Sequence, residues 1–175
     1  EENDDHQEGG TDSRLVHELG PGEYQVVAST YQSGETGVYE IETRTVAMGS
    51  DPDLSIPSRS NWLLGGRQSQ PRGPRGTLQD RHILHVEEAK TLQIDMRSDS
   101  FDTYLILLTA DGTTVLAEND DAGQHTTDAS LIVHVRPGRY QLAATSYQPG
   151  EEGLYELELS EVDASTPGAI PAGPP

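Results

Sequence analysis

The chain has 175 residues, room for one or two small domains, and only 33% of them are hydrophobic and 5% aromatic. Any core is therefore modest and built from short apolar runs. With 30 acids against 11 bases the net charge is −19, which argues against nucleic acid as a partner and for solubility, cation binding or docking on basic surfaces. There is no cysteine, hence no disulfide or thiolate metal site, and no apolar run approaches the length of a membrane span.

In chain order, the first stretch is one that returns later. Residues 2–44 align without a gap on 118–160 at a constant offset of 116, and 20 of the 43 positions are identical. Glu2-Asn3-Asp4-Asp5 matches Glu118-Asn119-Asp120-Asp121, Pro21-Gly22 matches Pro137-Gly138, and Tyr24-Gln25 matches Tyr140-Gln141. Tyr31-Gln32 falls on Tyr147-Gln148, and Tyr39-Glu40 on Tyr155-Glu156. A period this long indicates duplicated domains rather than a short-repeat solenoid. The expectation is a tandem repeat with a truncated first copy: the second half of one domain at 1–44 and a complete domain at 77–160. Starting at Glu1 without a signal peptide, the sequence reads as a mature, processed or trimmed segment of something longer.

Residues 45–76 form a Pro/Gly/Arg-rich linker. Pro52, Pro57, Pro71 and Pro74 with Gly65-Gly66, Gly73 and Gly76 are expected to break up any regular element. Arg59, Arg67, Arg72, Arg75 and Arg81 occupy a window whose only acid is Asp80, so this basic stretch is suited to lie against an acidic surface. Trp62-Leu63-Leu64 carries the single Trp of the chain and points to a packed linker rather than a free spacer.

From Thr77 to Leu159 the pattern is β. Leu92, Ile94 and Met96 alternate with polar residues, the period-2 mark of a half-buried strand. Tyr104-Leu105-Ile106-Leu107-Leu108 is apolar on both faces, and periodicity leaves open which face meets the core. Asp111-Gly112 predicts a hairpin turn, and Arg136-Pro137-Gly138-Arg139 a type II turn between two further alternating runs. Tyr140, Leu142 and Ala144 share a face, as do Tyr155, Leu157 and Leu159. Short strands between regular turn signals predict an all-β, antiparallel sandwich. The tail at 161–175 is Pro/Gly/Ala-rich and expected to be extended.

Ser100-Phe101-Asp102-Thr103-Tyr104-Leu105, then Asp111-Gly112, Glu118-Asn119-Asp120-Asp121, Pro137-Gly138-Arg139-Tyr140 and Gly153-Leu154-Tyr155 follow an order and spacing that resembles the bacterial pre-peptidase C-terminal domain. The likeness covers 77–160 in full and 1–44 as a second half. It implies a jelly-roll-like β-sandwich on secreted, extracellular bacterial proteins, often C-terminal to peptidases, related to collagen-binding modules and generally non-catalytic. These 175 residues hold no peptidase domain.

Residues that carry chemistry are few. No zinc-protease, nucleophile-elbow or phosphate-loop motif occurs, so no enzyme is expected. His82 and His85 lie three apart on a predicted strand and point to opposite faces. Asn119, Asp120, Asp121 and Asp128 gather oxygen ligands of the kind calcium takes, and Asn3, Asp4, Asp5 and Asp12 repeat the set. Asn-Asp-Asp before Gly123 is equally ordinary turn chemistry, and calcium is the one cofactor these residues suggest. Tyr31-Gln32 and Tyr147-Gln148, each before a Gly-containing turn, suit contact with extracellular protein or polysaccharide. Two functions fit: a structural module that partners itself in a homo-oligomer or filament completed between chains, or an accessory binding module of a secreted peptidase.

Overall fold

Alternation along the chain sets the architecture. The computed structural model describes residues 12–17, 19–43, 45, 53–66, 69–72 and 76–171. Two units divide the chain, Glu1–Arg44 and Thr45–Pro175. In the second unit, ten strands follow in order: β1 (Ser58–Leu64), β2 (Gln70–Arg72), β3 (Thr77–Val86), β4 (Lys90–Arg97), β5 (Thr103–Thr109), β6 (Val115–Asn119), β7 (Ala129–Val135), β8 (Gly138–Ser146), β9 (Gly153–Val162) and β10 (Ile170–Pro171). They build two five-stranded sheets, ordered β1-β9-β4-β7-β10 and β2-β3-β8-β5-β6. The sheets face each other as a β-sandwich, because one face of each strand carries the apolar residues and only mutual burial removes both faces from water.

Leu92, Ile94 and Met96 of β4, Leu131, Val133 and Val135 of β7, and Leu157 and Leu159 of β9 meet Leu84, Val86, Leu105, Leu107, Leu142 and Ala144 of the opposite sheet in one buried cluster. Each large side chain held there contributes roughly 1.5–3 kcal/mol. The ambiguity of β5 is resolved: Leu105 and Leu107 face the core. Ile106 and Leu108 lie on the other face with Ala143 and the half-buried Tyr104.

Three expectations change. The linker was expected to hold no regular element, yet Ser58–Leu64 pairs antiparallel with β9, and Gln70–Arg72 pairs with β3. No proline lies inside β1, and its Trp62 and Leu64 point into the core, while Pro71 is tolerated because β2 is an edge strand. The pairing is not antiparallel throughout, because β10 in the tail lies parallel to β7 through Ile170 and Val133. Lastly, Gly138 has φ +156° and is already the first residue of β8, far from the roughly +80° of a type II turn. The corner is held instead by Tyr140, whose hydroxyl donates to the carbonyl of Arg136 at 3.0 Å.

A polar stitch crosses the core. On β3, Asp80 and His82 share the inward face with Leu84 and Val86, and both are fully buried. Asp80 accepts hydrogen bonds from the Ser69 hydroxyl at 2.6 Å and from the Tyr155 hydroxyl of the other sheet at 2.9 Å. His82 Nε2 lies 3.1 Å from the same Tyr155 oxygen, and the Trp62 ring meets the His82 ring edge-on at 4.6 Å. Burial pushes the Asp80 carboxyl above its ordinary value, partly offset by the two hydroxyl donors. Burial and the Asp80 charge push the Tyr155 hydroxyl well up.

The outer face of the first sheet is a charge ladder. Arg59 of β1 reaches Glu156 at 2.7 Å, and Arg97 of β4 reaches Glu158, Asp95 and Glu156 at 2.9, 3.2 and 3.4 Å. Arg59 thus places one arginine of the basic linker on an acidic surface, and Arg67 and Arg75 lie outside the described residues. Arg59–Glu156, Arg97–Glu156 and Arg97–Glu158 cross between strands and Arg97–Asp95 lies within β4, and water screens the exposed members of this set.

In the first unit, residues 12–43 form no strand among those described. Their turns nevertheless repeat those of the sandwich at the same offset of 116. Tyr24 donates to Gly20 O at 2.9 Å, as Tyr140 does to Arg136 O. Thr30 donates to Gln32 O at 2.9 Å, as Ser146 does to Gln148 O at 2.8 Å. The Gln32 amide donates to Glu35 at 3.3 Å, as that of Gln148 does to Glu151 at 3.1 Å, and Gly34 and Gly150 have φ +88° and +82°.

Candidate functional site

Three loops of the sandwich meet at one end, and two of the residue groups singled out in the sequence lie there. The β4–β5 loop brings Asp102, the β6–β7 loop Asp120 and Asp121, and the β8–β9 loop Tyr147, Gln148 and Glu151. The Tyr147 amide donates to the Asp102 carbonyl at 2.8 Å, which ties two of the loops together. Tyr147 is 54% exposed, and its ring meets the half-buried ring of Tyr104 edge-on, with centroids 6.3 Å apart. Tyr104 is fixed on β5 opposite Thr145 of β8. Tyr147 is thus open to solvent while its contact with Tyr104 steadies the ring, the arrangement that limits the ordering cost of binding a flat ligand.

Carboxylates gather in the same loops. Burial raises the Asp102 carboxyl above its ordinary value, and the charges of Asp121, Glu151 and Asp120 raise it further. One Asp102 oxygen, Oδ1, is buried without a hydrogen-bond partner. Asp102, Asp120, Asp121 and Glu151 thus lie close enough to act on one another, and a cluster of one sign disfavours polyanions over neutral or basic partners.

The calcium set does not converge. Asn119 Oδ1 accepts the Ser130 amide of β7 at 3.0 Å, and Asp128 Oδ1 accepts the Ser98 amide after β4 at 3.4 Å, so both oxygens are engaged by distant backbone amides. Thr126 and Ala122 further fold this loop, through the Asp128 amide at 2.9 Å and the Asp128 carbonyl at 2.6 Å. Among the described residues no group of three or more His, Cys, Asp or Glu is placed to hold a metal ion. Asn3, Asp4 and Asp5 lie outside the described residues, and Asp12 is exposed. Of the other candidate pair, Tyr31 is 83% exposed and Gln32 is exposed.

Sequence reasoning missed Asp102, Glu151 and Tyr104 as members of this end. Only the strand order, which places β5 beside β8, brings them to Tyr147. His82 and His85 part as expected, the first fully buried and the second exposed. No helix among the described residues is long and apolar enough to cross a membrane.

No family model matches the chain, and no curated protein does. Among solved structures, the pre-peptidase C-terminal domain of a collagenase from Bacillus anthracis is similar, with 18% identity over 67% of this chain and 99% of that one, at a TM-score of 0.45. A β-1,3-glucan binding CBM6 from Bacillus halodurans is similar with 12% identity over 67% of this chain and 100% of that one, at a TM-score of 0.39. The likeness is distant and leaves a third of the chain uncovered.

Proposed function

We propose that this chain is a non-catalytic binding module of an extracellular, secreted bacterial protein, of the accessory kind carried beside peptidases. It contacts a neutral polysaccharide or a basic extended polypeptide at the loop end of its sandwich. The observation that carries this reading is the exposed Tyr147 ring, braced by Tyr104 and set beside Gln148 within an acidic rim. An aromatic face stacks on a sugar ring or a peptide backbone, and the neighbouring amide supplies directional hydrogen bonds. The motif order that resembles pre-peptidase C-terminal domains supports the extracellular setting and the absence of catalysis. Calcium remains a proposal for Asp120 and Asp121, and is tested below.

Retention of the chain on insoluble neutral polysaccharides and on immobilised basic peptides, compared with anionic polysaccharides, tests the reading. The Tyr147→Ala variant is expected to lose about tenfold in affinity, on the order of 1.4 kcal/mol. Equal retention of the two proteins, or binding to polyanions alone, would count against this site.

A second reading is a structural module that builds assemblies by completing residues 12–43. It is favoured by the large apolar side chains that this segment leaves exposed, among them Leu15, Leu19, Val26 and Ile41.

A further inference from the structure

The order of strands in the sandwich determines what residues 12–43 need in order to fold. Their counterparts, 128–159, supply β7, β8 and most of β9. In neither sheet are these three strands neighbours of one another. β7 and β9 flank β4, and β8 lies between β3 and β5. The inner ladders of the back half are therefore all made with the front half, and without β3, β4 and β5 only the outer pairings of β9 with β1 and of β7 with β10 are left, and β8 has none. That accounts for the state of residues 12–43: local turn hydrogen bonds formed, strands absent.

Side-chain exposure agrees. Tyr24 is 56% exposed where Tyr140 is fully buried, Val26 is 68% exposed where Leu142 is fully buried, and Tyr39 is 71% exposed where Tyr155 is 2% exposed. These residues alternate in the manner of core positions yet have no core.

We propose that residues 12–43 are an acceptor for a front half: three interleaving strands of the β3-β4-β5 kind, carried on a polypeptide segment other than the chain's own Thr77–Thr109. A single added strand does not suffice, since β4 must stand between β7 and β9 in one sheet while β3 and β5 enclose β8 in the other. The chain's own front half is already filled, with Leu92, Ile94, Leu105 and Leu107 fully buried against 128–159. The front half of a second copy is filled in the same way. The occupant is thus a separate segment bearing alternating apolar strands, recognised by main-chain pairing and by the side chains at 15, 24, 26, 39 and 41. This inference does not depend on the ligand reading of the loop end.

The test is a longer chain in which residues 53–116 are repeated ahead of Glu1, with the natural 175 residues unchanged behind them. Hydrogen exchange of the amides at 24–28 and 39–42 is compared with the natural chain, and the sandwich at 58–162 serves as internal reference. Exchange slower by at least ~100-fold in the fusion is expected, since these amides would pass from open chain to interior strands. A control fusion, in which 12–43 is replaced by a copy of 128–159, establishes that the format folds. Protection in the control but none at 24–28 and 39–42 in the natural-sequence fusion would overturn the proposal. So would concentration-dependent protection of these amides in the natural chain together with dimer formation, which would make a second copy the occupant.

Discussion

Residues 12–43 and 128–159 start from closely related sequences and end in different states, one as turns without strands and the other as three strands of a sandwich. What they share is local: a tyrosine that closes on the carbonyl four residues back, a hydroxyl that closes a turn, and a glycine at positive φ. What they do not share is a partner. Turn chemistry is thus encoded within a few residues, whereas a strand exists only when its neighbours in the sheet exist.

The largest break in the comparison should come from core truncation. Leu142→Ala is expected to cost about 2–5 kcal/mol in denaturant unfolding followed by Trp62 fluorescence. Val26→Ala, at the equivalent place in the first copy, should stay within about 0.5 kcal/mol because that side chain is already in water. Equal losses at both positions would mean that the first copy has a core of its own.

A smaller difference should appear at the paired tyrosines, and it should depend on pH. Tyr155→Phe removes one of two hydroxyls that donate to buried Asp80, at a cost of about 1–3 kcal/mol near neutral pH. Tyr39→Phe should change little, since Tyr39 is exposed. Because the folded chain holds the Asp80 proton more tightly than the unfolded chain does, the stability due to that proton is full below about 3.8 and is lost as pH rises through the folded value. The cost of Tyr155→Phe should therefore shrink as Asp80 protonates on acidification. Asp80→Asn should flatten this part of the pH profile, and an unchanged slope would show that the carboxyl does not titrate with folding.

The smallest effects belong to the acidic loop end. Asp102→Asn should raise the melting temperature near neutral pH by removing a carboxylate that burial and Asp121, Glu151 and Asp120 disfavour, and added salt should narrow the gain. Millimolar calcium, before and after chelation, should leave the melting curve unchanged if Asn119 and Asp128 keep the backbone amides of Ser130 and Ser98. A rise would mean that calcium draws Asp120 and Asp121 into a site.

How legible was this in the sequence? Alternation alone located β4, β7, β8 and β9, because Leu92, Leu131, Leu142 and Leu157 each mark a half-buried period of two. It failed at β1 and β2, where the prolines and arginines suggested an irregular spacer. The helpful sign was Trp62 and Leu64, two residues apart and both fit for a core. The buried pair Asp80 and His82 is not signalled by alternation, although Leu78, Asp80, His82, Leu84 and Val86 share one parity. A carboxylate on a core-facing position is unreadable until its donors are known, and Ser69 and Tyr155 lie 11 and 75 residues away. The loop-end site was half legible: Tyr147 and Asp120 each stood out, but the contact between them runs through Asp102 and is set by strand order.

The two sheets have four outer margins, and each is unattractive to a passing extended chain. β1 is preceded by Pro57 and carries Arg59, β2 contains Pro71, β10 is two residues long and ends in Pro171, and β6 is short and joins β5 through an irregular register. Prolines withhold a donor and charges resist desolvation, so foreign backbone finds little to continue from. Crowding this protein at high concentration should therefore not grow fibrils from the sandwich. Among the described residues, 12–43 are the stretch whose own ladders are unmade.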